Sequence, residues 1–304
     1  RSSDLKYDIV SITDYAKKAA STVEDYSKND IIAVIYAQGE IAGGEGDVNV
    51  IGEGSIKRSL QEAREDDDVK AIVLRVNSPG GSALTSELIW REIEITKKTK
   101  PVVVSMGNYA ASGGYYISAN ADRIFAEPNT ITGSIGVFGM LPNMNQLGKN
   151  IGINAEQVKT HENASGYSVF EPMDENFKGF VLESIEKTYA TFLKRVADGR
   201  KMTTEQVDAI AQGRVWTGVD AHKLGLVDEI GGLDAAIKYA AKLGKTTSYR
   251  TENFPEYEKS FEDLLANFTG MAMFKTKEQL LKEQLGEEGF QMLEQRSEER
   301  RVGK

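Results

Sequence analysis

Cysteine is missing from the 304 residues, and histidine occurs only at positions 161 and 222. The first absence excludes disulfides, thiolate zinc sites and a cysteine nucleophile, and it leaves the redox compartment open. The second leaves too few imidazoles for a multi-histidine metal site, so no metal or other cofactor is expected. A basic excess is also lacking: 37 Lys and Arg stand against 46 Asp and Glu, a formal net charge of -9 with pI near 5.1. Nucleic acid is not an expected partner, because binding a phosphate backbone calls for basic patches. No apolar run approaches the roughly 20 residues that a membrane-spanning helix needs, and the first residues carry no basic-then-apolar signal sequence. This stretch is therefore not expected to insert into a bilayer by itself. What is present is a globular composition, 40% hydrophobic and 27% charged, ample for one large domain or two small ones.

The two ends look foreign. Arg-Ser-Ser-Asp-Leu at 1–5 and Arg-Ser-Glu-Glu-Arg-Arg-Val-Gly-Lys at 296–304 resemble translations of a sequencing adapter, so both are set aside and the chain is expected to be an internal piece of a longer protein. From Asp30, short β-branched runs alternate with longer helical stretches, which predicts an α/β domain over 30–245. Strands are expected at Ile31–Ala37, Lys70–Val76, Val102–Met106, Arg123–Ala126 and Ser134–Val137. Helices are expected at Ile56–Glu65, Ala83–Thr99, Ala110–Asn120, Asn176–Asp198, Thr203–Ala211, Asp220–Leu224 and Leu233–Leu243. The first part reads as repeated β-β-α units and the second as a helical arm. Residues 246–295 form a polar extension with an amphipathic stretch at Lys277–Leu293, expected to pack against a neighbour rather than carry chemistry.

Two motifs follow successive strands. Asn77-Ser78-Pro79-Gly80-Gly81 predicts a sharp turn, because Pro fixes φ and tandem Gly permits positive φ. Gly107-Asn108-Tyr109-Ala110-Ala111-Ser112-Gly113-Gly114 supplies what a nucleophilic serine needs: a tight turn, small neighbours through which a carbonyl can approach, and N–H donors for a developing oxyanion. Ser112 at the first turn of a helix would place the Gly113 amide at the electropositive helix end, with Gly80-Gly81 as the natural source of a second donor. A lone small-residue run is more often a helix cap or a close packing site than a nucleophile. The pairing of Ser-Pro-Gly-Gly with Ala-Ser-Gly-Gly, one after each of two strands, favours the catalytic reading.

At these residues the chain resembles the signal peptide peptidase A family, also called protease IV, in the superfamily of the Clp protease subunit and the crotonases. The resemblance runs from about Tyr7 to about Leu243. It is carried by 71–81, the Ser112 motif, Thr132-Gly133-Ser134-Ile135-Gly136-Val137-Phe138-Gly139, Gly213-Arg214-Val215-Trp216-Thr217-Gly218 and Gly225-Leu226-Val227-Asp228. It implies a ClpP/crotonase-like fold, Ser112 as nucleophile of a serine endopeptidase that degrades cleaved signal peptides, and the amides of Gly81 and Gly113 as its oxyanion hole. It further implies the second half of a double-length form, with residues 6–29 a linker from a missing N-terminal half.

One departure concerns the base. The family uses a lysine, placed in single-length members in a Gly-x-x-Lys segment before a Pro, whereas 164–172 here, Ala-Ser-Gly-Tyr-Ser-Val-Phe-Glu-Pro, holds none. The general base is therefore expected in the missing half. Lys159 and Lys178 flank the segment but read as solvated side chains, and neither lies in an apolar run that would lower its pKa. His161 and His222 have no triad partner in view, Trp216 reads as packing, and Asp228-Glu229 as a turn beside a helix entry. Thr132 and Ser134 are kept as residues that could orient substrate or lysine. The resemblance also implies hydrophobic peptide substrates, a homo-oligomeric ring for which a tetramer is one candidate, and a bacterial cytoplasmic membrane location with the catalytic body outside the cytoplasm. Two other readings stay open: a crotonase-like enzyme acting on acyl-CoA, and a non-catalytic scaffold half of a ring.

Overall fold

The computed structural model describes residues 30–156, 158–161, 164 and 166–255. In chain order the elements are β1 (Asp30–Gln38), β2 (Glu40–Ala42), β3 (Gly46–Asp47), β4 (Val50–Gly52), α1 (Glu53–Glu65), β5 (Val69–Ser78), α2 (Ala83–Thr96), β6 (Val102–Ala111) and α3 (Gly113–Tyr116). There follow β7 (Arg123–Ala126), β8 (Ile131–Gly133), α4 (Asn145–Asn150), α5 (Glu175–Arg200), α6 (Thr204–Ile210), β9 (Val215–Thr217), α7 (Gly218–Lys223), β10 (Glu229–Ile230), α8 (Leu233–Leu243) and β11 (Tyr249–Phe254).

The main sheet runs β10-β7-β6-β5-β1-β11 with every pair parallel, and β8 pairs both with the far end of β6 and, antiparallel, with β9. Its central strands read as unbroken apolar runs because both faces are covered. Ile31, Ala33, Ile35, Ile72, Leu74 and Val104 pack with Ile56 and Leu60 of α1 and Ile89 and Ile93 of α2. Their alternates Ile32, Val34, Val73 and Val103 pack with Phe125 and with Ala236, Ala240 and Ala241 of α8. The period-2 alternation of side chains thus sorts one strand into two cores. Truncating a central residue such as Ile35, which is fully buried, to alanine is expected to cost about 2–5 kcal/mol.

Three sequence expectations are corrected, and one element is new. Ala110 and Ala111 do not begin a helix: β6 continues through them, pairing Ala110 with Thr132 and Ala111 with Gly133, and α3 has only four residues. Gly107 sits at an irregularity inside the strand, where β6 leaves β7 for β8. Asn77 Oδ1 accepts from the Tyr109 amide at 3.2 Å, and a Cβ on Gly107 would lie 2.9 Å from that oxygen. The strand expected at Ser134–Val137 lies earlier, at Ile131–Gly133, because Gly133 (φ 77°) and Ser134 (φ 49°) turn the chain out of extended geometry. The sheet also continues past 245, since β11 adds a parallel edge strand to β1. Finally, the small sheet β2-β4-β3 was not foreseen; its strands of two or three residues are too short for an alternation to register.

α5 corresponds to the expected helical arm. Only Phe192, Val196 and Ala197 in its second half are buried, and the first half leaves Phe180 and Leu182 exposed. The adapter-like ends and the Lys277–Leu293 stretch lie outside the described residues.

Candidate active site

β5 and β6 are neighbouring parallel strands, so their C-terminal ends emerge side by side, where parallel α/β sheets characteristically bind ligands. Ser78 pairs with Ala110 at the last step of the register. Pro79-Gly80-Gly81 therefore leaves the sheet next to Ser112-Gly113. Ser112 has φ 51° and ψ -118°, a conformation that non-glycine residues rarely adopt and that costs on the order of 1–3 kcal/mol. It is held there from both sides: its amide donates to Gly133 O at 2.9 Å, and its carbonyl accepts from the Tyr116 amide at 2.9 Å. The residue is half-buried.

Glycine is required at position 80 by this close approach. A Cβ there would lie 2.8 Å from both the Gly113 nitrogen and Ser112 Cβ, and its φ of 109° is itself a glycine conformation. Gly81 bridges Ile41 of β2: the Ile41 amide donates to Gly80 O at 2.8 Å, and the Ser82 amide donates to Ile41 O at 2.7 Å. In such a parallel bridge Gly81's own N–H faces away from β2. Neither it nor the Gly113 N–H donates to any acceptor among the described residues. The two amides are close, since a Cβ on Gly113 would lie 3.3 Å from the Gly81 nitrogen and 2.6 Å from Ser86 Oγ. With α3 so short, an anion here would be held by direct N–H donation rather than by a helix dipole, which needs several aligned turns.

These groups open onto a cleft of about 950 Å³. One wall is apolar, formed by Tyr116, Val137, Phe138, Ile185, Tyr189 and Phe192. Among the described residues, Glu40 and Glu186 are the only charged ones that line it, and no lysine or histidine does. Burial, reinforced by a hydrogen bond to Glu87, pushes the Tyr116 phenol well above its ordinary pKa, so it is a neutral donor.

Of the sequence candidates, Ser112, Gly81, Gly113 and Ser134 line this one cleft. Thr132 does not: its hydroxyl donates to Ala110 O at 2.7 Å and is fully buried, leaving nothing to orient a substrate. Lys159 is exposed, and Lys178 is exposed beside Glu175 at 3.5 Å. Lys100 has its pKa lowered by burial, but its ammonium caps the end of α1 through Ala63 O and Asp66 O and does not line the cleft. His161 sits in an exposed loop against Thr160, and His222 contacts Val227 O. Trp216 Nε1 donates to Ile210 O at 3.0 Å. Asp228 accepts from the Ile124 amide and pairs with Arg200, and Glu229 pairs with Arg123, so both acids hold β7 and β10 in place. Ser86, Tyr116 and the α5 wall were not foreseen. Ser86 follows the N-cap Ser82 by one helical turn, a spacing visible in the sequence; the contribution of α5 depends on tertiary packing.

Residues 94–247, which include Ser112, match Peptidase family S49. The chain belongs to this family. "Protease 4" of Haemophilus influenzae is 45% identical over 80% of the chain and 40% of its own length. "Serine protease SPPA, chloroplastic" of Arabidopsis thaliana is 40% identical over 69% of the chain and 32% of its own length. The chain therefore spans less than half the length of these two relatives. "Putative signal peptide peptidase SppA" of Enterococcus faecium is 34% identical over 74% of the chain and 67% of its own length. Among solved structures, a point mutant of ClpP1 from Listeria monocytogenes is similar at 16% identity and TM-score 0.46, over 67% of this chain and 94% of that one. No helix among the described residues of this S49 chain is long and apolar enough to cross a membrane.

Proposed function

We propose that the chain carries the nucleophile of a serine endopeptidase that cleaves apolar peptides, spent signal peptides among them. The observation that carries this reading is Ser112 held in a strained turn, beside two uncommitted amides, at the mouth of an apolar cleft. In the proposed reaction Ser112 Oγ attacks the scissile carbonyl carbon while its proton passes to a neutral lysine amine. The carbonyl oxygen, now anionic, accepts from the Gly81 and Gly113 N–H groups, each such donor being worth on the order of 10²–10³ in rate. Collapse of the tetrahedral species breaks the C–N bond, and the lysine returns the proton to the leaving amine. Water then attacks the acyl-serine ester, giving the lysine a proton that passes on to Ser112 Oγ as the acyl C–O bond breaks.

The lysine comes, in this reading, from the upstream half, of the same or of a neighbouring subunit. The absence of any lysine among the described residues that line the cleft motivates that assignment. The names of the S49 relatives support peptidase activity and signal-peptide substrates. We also propose a homo-oligomeric ring at the outer face of a bacterial cytoplasmic membrane. The exposed Phe138, Met140, Phe180 and Leu182 favour association. A crotonase-like reading is disfavoured by a cleft whose charged lining residues are acidic, since nucleotide phosphates call for cations.

The test is hydrolysis of an apolar signal-peptide-like substrate by three samples: the full-length protein, its Ser112→Ala variant, and the chain alone. Turnover by the first only is the expected result. Turnover by Ser112→Ala would remove Ser112 from the reaction, and turnover by the chain alone would place the base within it.

A further inference from the structure

Three elements of the cleft meet on one carboxylate. Glu87 lies on α2, the helix capped by Ser82 directly after Gly80-Gly81. Its Oε2 accepts from the Tyr116 hydroxyl at 2.5 Å. Tyr116 closes the Ser112 turn through its own amide, donating to Ser112 O at 2.9 Å. The same carboxylate takes both forks of Arg195, Nη2 to Oε1 at 2.5 Å and Nε to Oε2 at 3.2 Å. Arg195 sits on α5 one turn after Phe192, which lines the cleft and packs on the Tyr116 ring at 4.7 Å between centroids. The guanidinium is fixed on its other side by the Trp90 ring, 3.8 Å from its centroid, and Trp90 lies one turn after Glu87 on α2.

We infer that Glu87 is a positioning residue that sets the serine turn, the Gly80-Gly81 loop and the apolar α5 wall in register with one another. A bidentate Arg–carboxylate pair has a fixed planar geometry, which a single-point lysine contact lacks. Glu87 therefore transmits position and not merely charge. Its two contacts divide the work, although Oε2 takes part in both. Oε2 holds Tyr116 and through it the turn that presents Ser112, and the pair with Arg195 holds the wall against which a substrate side chain packs. Loosening the first should slow the chemical step, and loosening the second should weaken substrate binding.

This inference rests on the peptidase reading, and the test separates the two. In the full-length protein, kcat and KM on an apolar peptide are measured together with the melting temperature. Glu87→Ala is expected to lower kcat by about 10-fold or more and to raise KM, whereas Glu87→Gln, whose amide oxygen still accepts from Tyr116, keeps kcat within about threefold. Tyr116→Phe lowers kcat with KM nearly constant, and Arg195→Met raises KM with kcat nearly constant. The double variant Tyr116→Phe/Glu87→Ala has the kcat of Glu87→Ala alone, because both act through one contact.

A residue that only stabilises the fold would lower the melting temperature and leave both constants of the folded enzyme unchanged. A folded Glu87→Ala with wild-type kcat and KM overturns the inference, as do effects of Tyr116→Phe and Glu87→Ala that multiply. If Glu87→Ala does not fold, Tyr116→Phe decides, and an unchanged kcat there overturns it. A wild-type protein without turnover, or turnover that survives Ser112→Ala, defeats the peptidase reading and this inference together.

Discussion

The amide of Ser112 donates to the carbonyl of Gly133 at 2.9 Å, so the serine's own N–H is committed to the β6–β8 pairing. An oxyanion formed at Ser112 must therefore be met by other amides, and Gly81 and Gly113 are the ones left free beside it. The anchor depends on a glycine. Gly133 has φ 77°, and a Cβ on it would lie 2.8 Å from Trp216 Cδ1 and 3.2 Å from Arg214 O. Gly133→Ala is expected to destabilise the protein by roughly 1–3 kcal/mol and to slow acylation of Ser112, as strain is pushed into the turn. Thermal unfolding and the rate of fluorophosphonate labelling check this; unchanged labelling in a destabilised variant would mean that the anchor does not set the serine.

Strain at the serine itself predicts a separation of activity from stability. Ser112→Gly and Ser112→Ala both remove the hydroxyl, but only glycine tolerates φ 51° with ψ -118° at no steric cost. Both should be inactive, with Ser112→Gly at least as stable as Ser112→Ala and gaining up to about 1 kcal/mol. Denaturant midpoints of the two variants measure the difference. A glycine variant less stable than the alanine variant would show that the turn is not strained.

That the two glycine motifs meet beside Ser112 was legible because they come as a pair, one after each of two strands: Gly80 lies where a Cβ would strike Ser112 Cβ, and small residues lead up to Ser112. The two-faced β1, β5 and β6 were legible from their unbroken apolar runs. The end of β6 was not. Ala110 and Ala111 suit a helix by intrinsic propensity, and pairing with Thr132 and Gly133 overrode it, a contact no local pattern encodes. Thr132 shared a motif with Ser134, yet the turn through Gly133 and Ser134 separates them, so Thr132 stays buried in β8 while Ser134 reaches the cleft. The Glu87–Arg195 pair spans 108 positions. Nothing in the sequence around either residue announces the other. Gly81→Pro fails as a way to delete one oxyanion donor, since φ at Gly81 is 149° and a proline ring requires about -65°.

Two buried tyrosines predict a loss of stability at alkaline pH. Burial raises the pKa of Tyr115, whose hydroxyl donates to Leu226 O at 2.8 Å, and burial with the Glu87 hydrogen bond raises that of Tyr116. Below the ordinary tyrosine value of about 10 both states keep their protons and the contribution is intact. Above it the unfolded chain releases protons that the folded one retains, so unfolding is favoured increasingly with pH. Urea midpoints between about pH 9 and pH 11 should fall less steeply in Tyr115→Phe and Tyr116→Phe than in the wild type. Identical slopes would show that these hydroxyls are not the groups that resist ionisation.

The most direct test of the account is where a mechanism-based serine reagent attaches. Ser82, Ser86, Ser112 and Ser134 all line the cleft, so the assignment is a choice among neighbours. The full-length protein is treated with a fluorophosphonate, digested, and mapped by mass spectrometry. The account predicts a single adduct, on the peptide containing Ser112, that is abolished by Ser112→Ala. An adduct on one of the other three serines, or one that persists in Ser112→Ala, would contradict it.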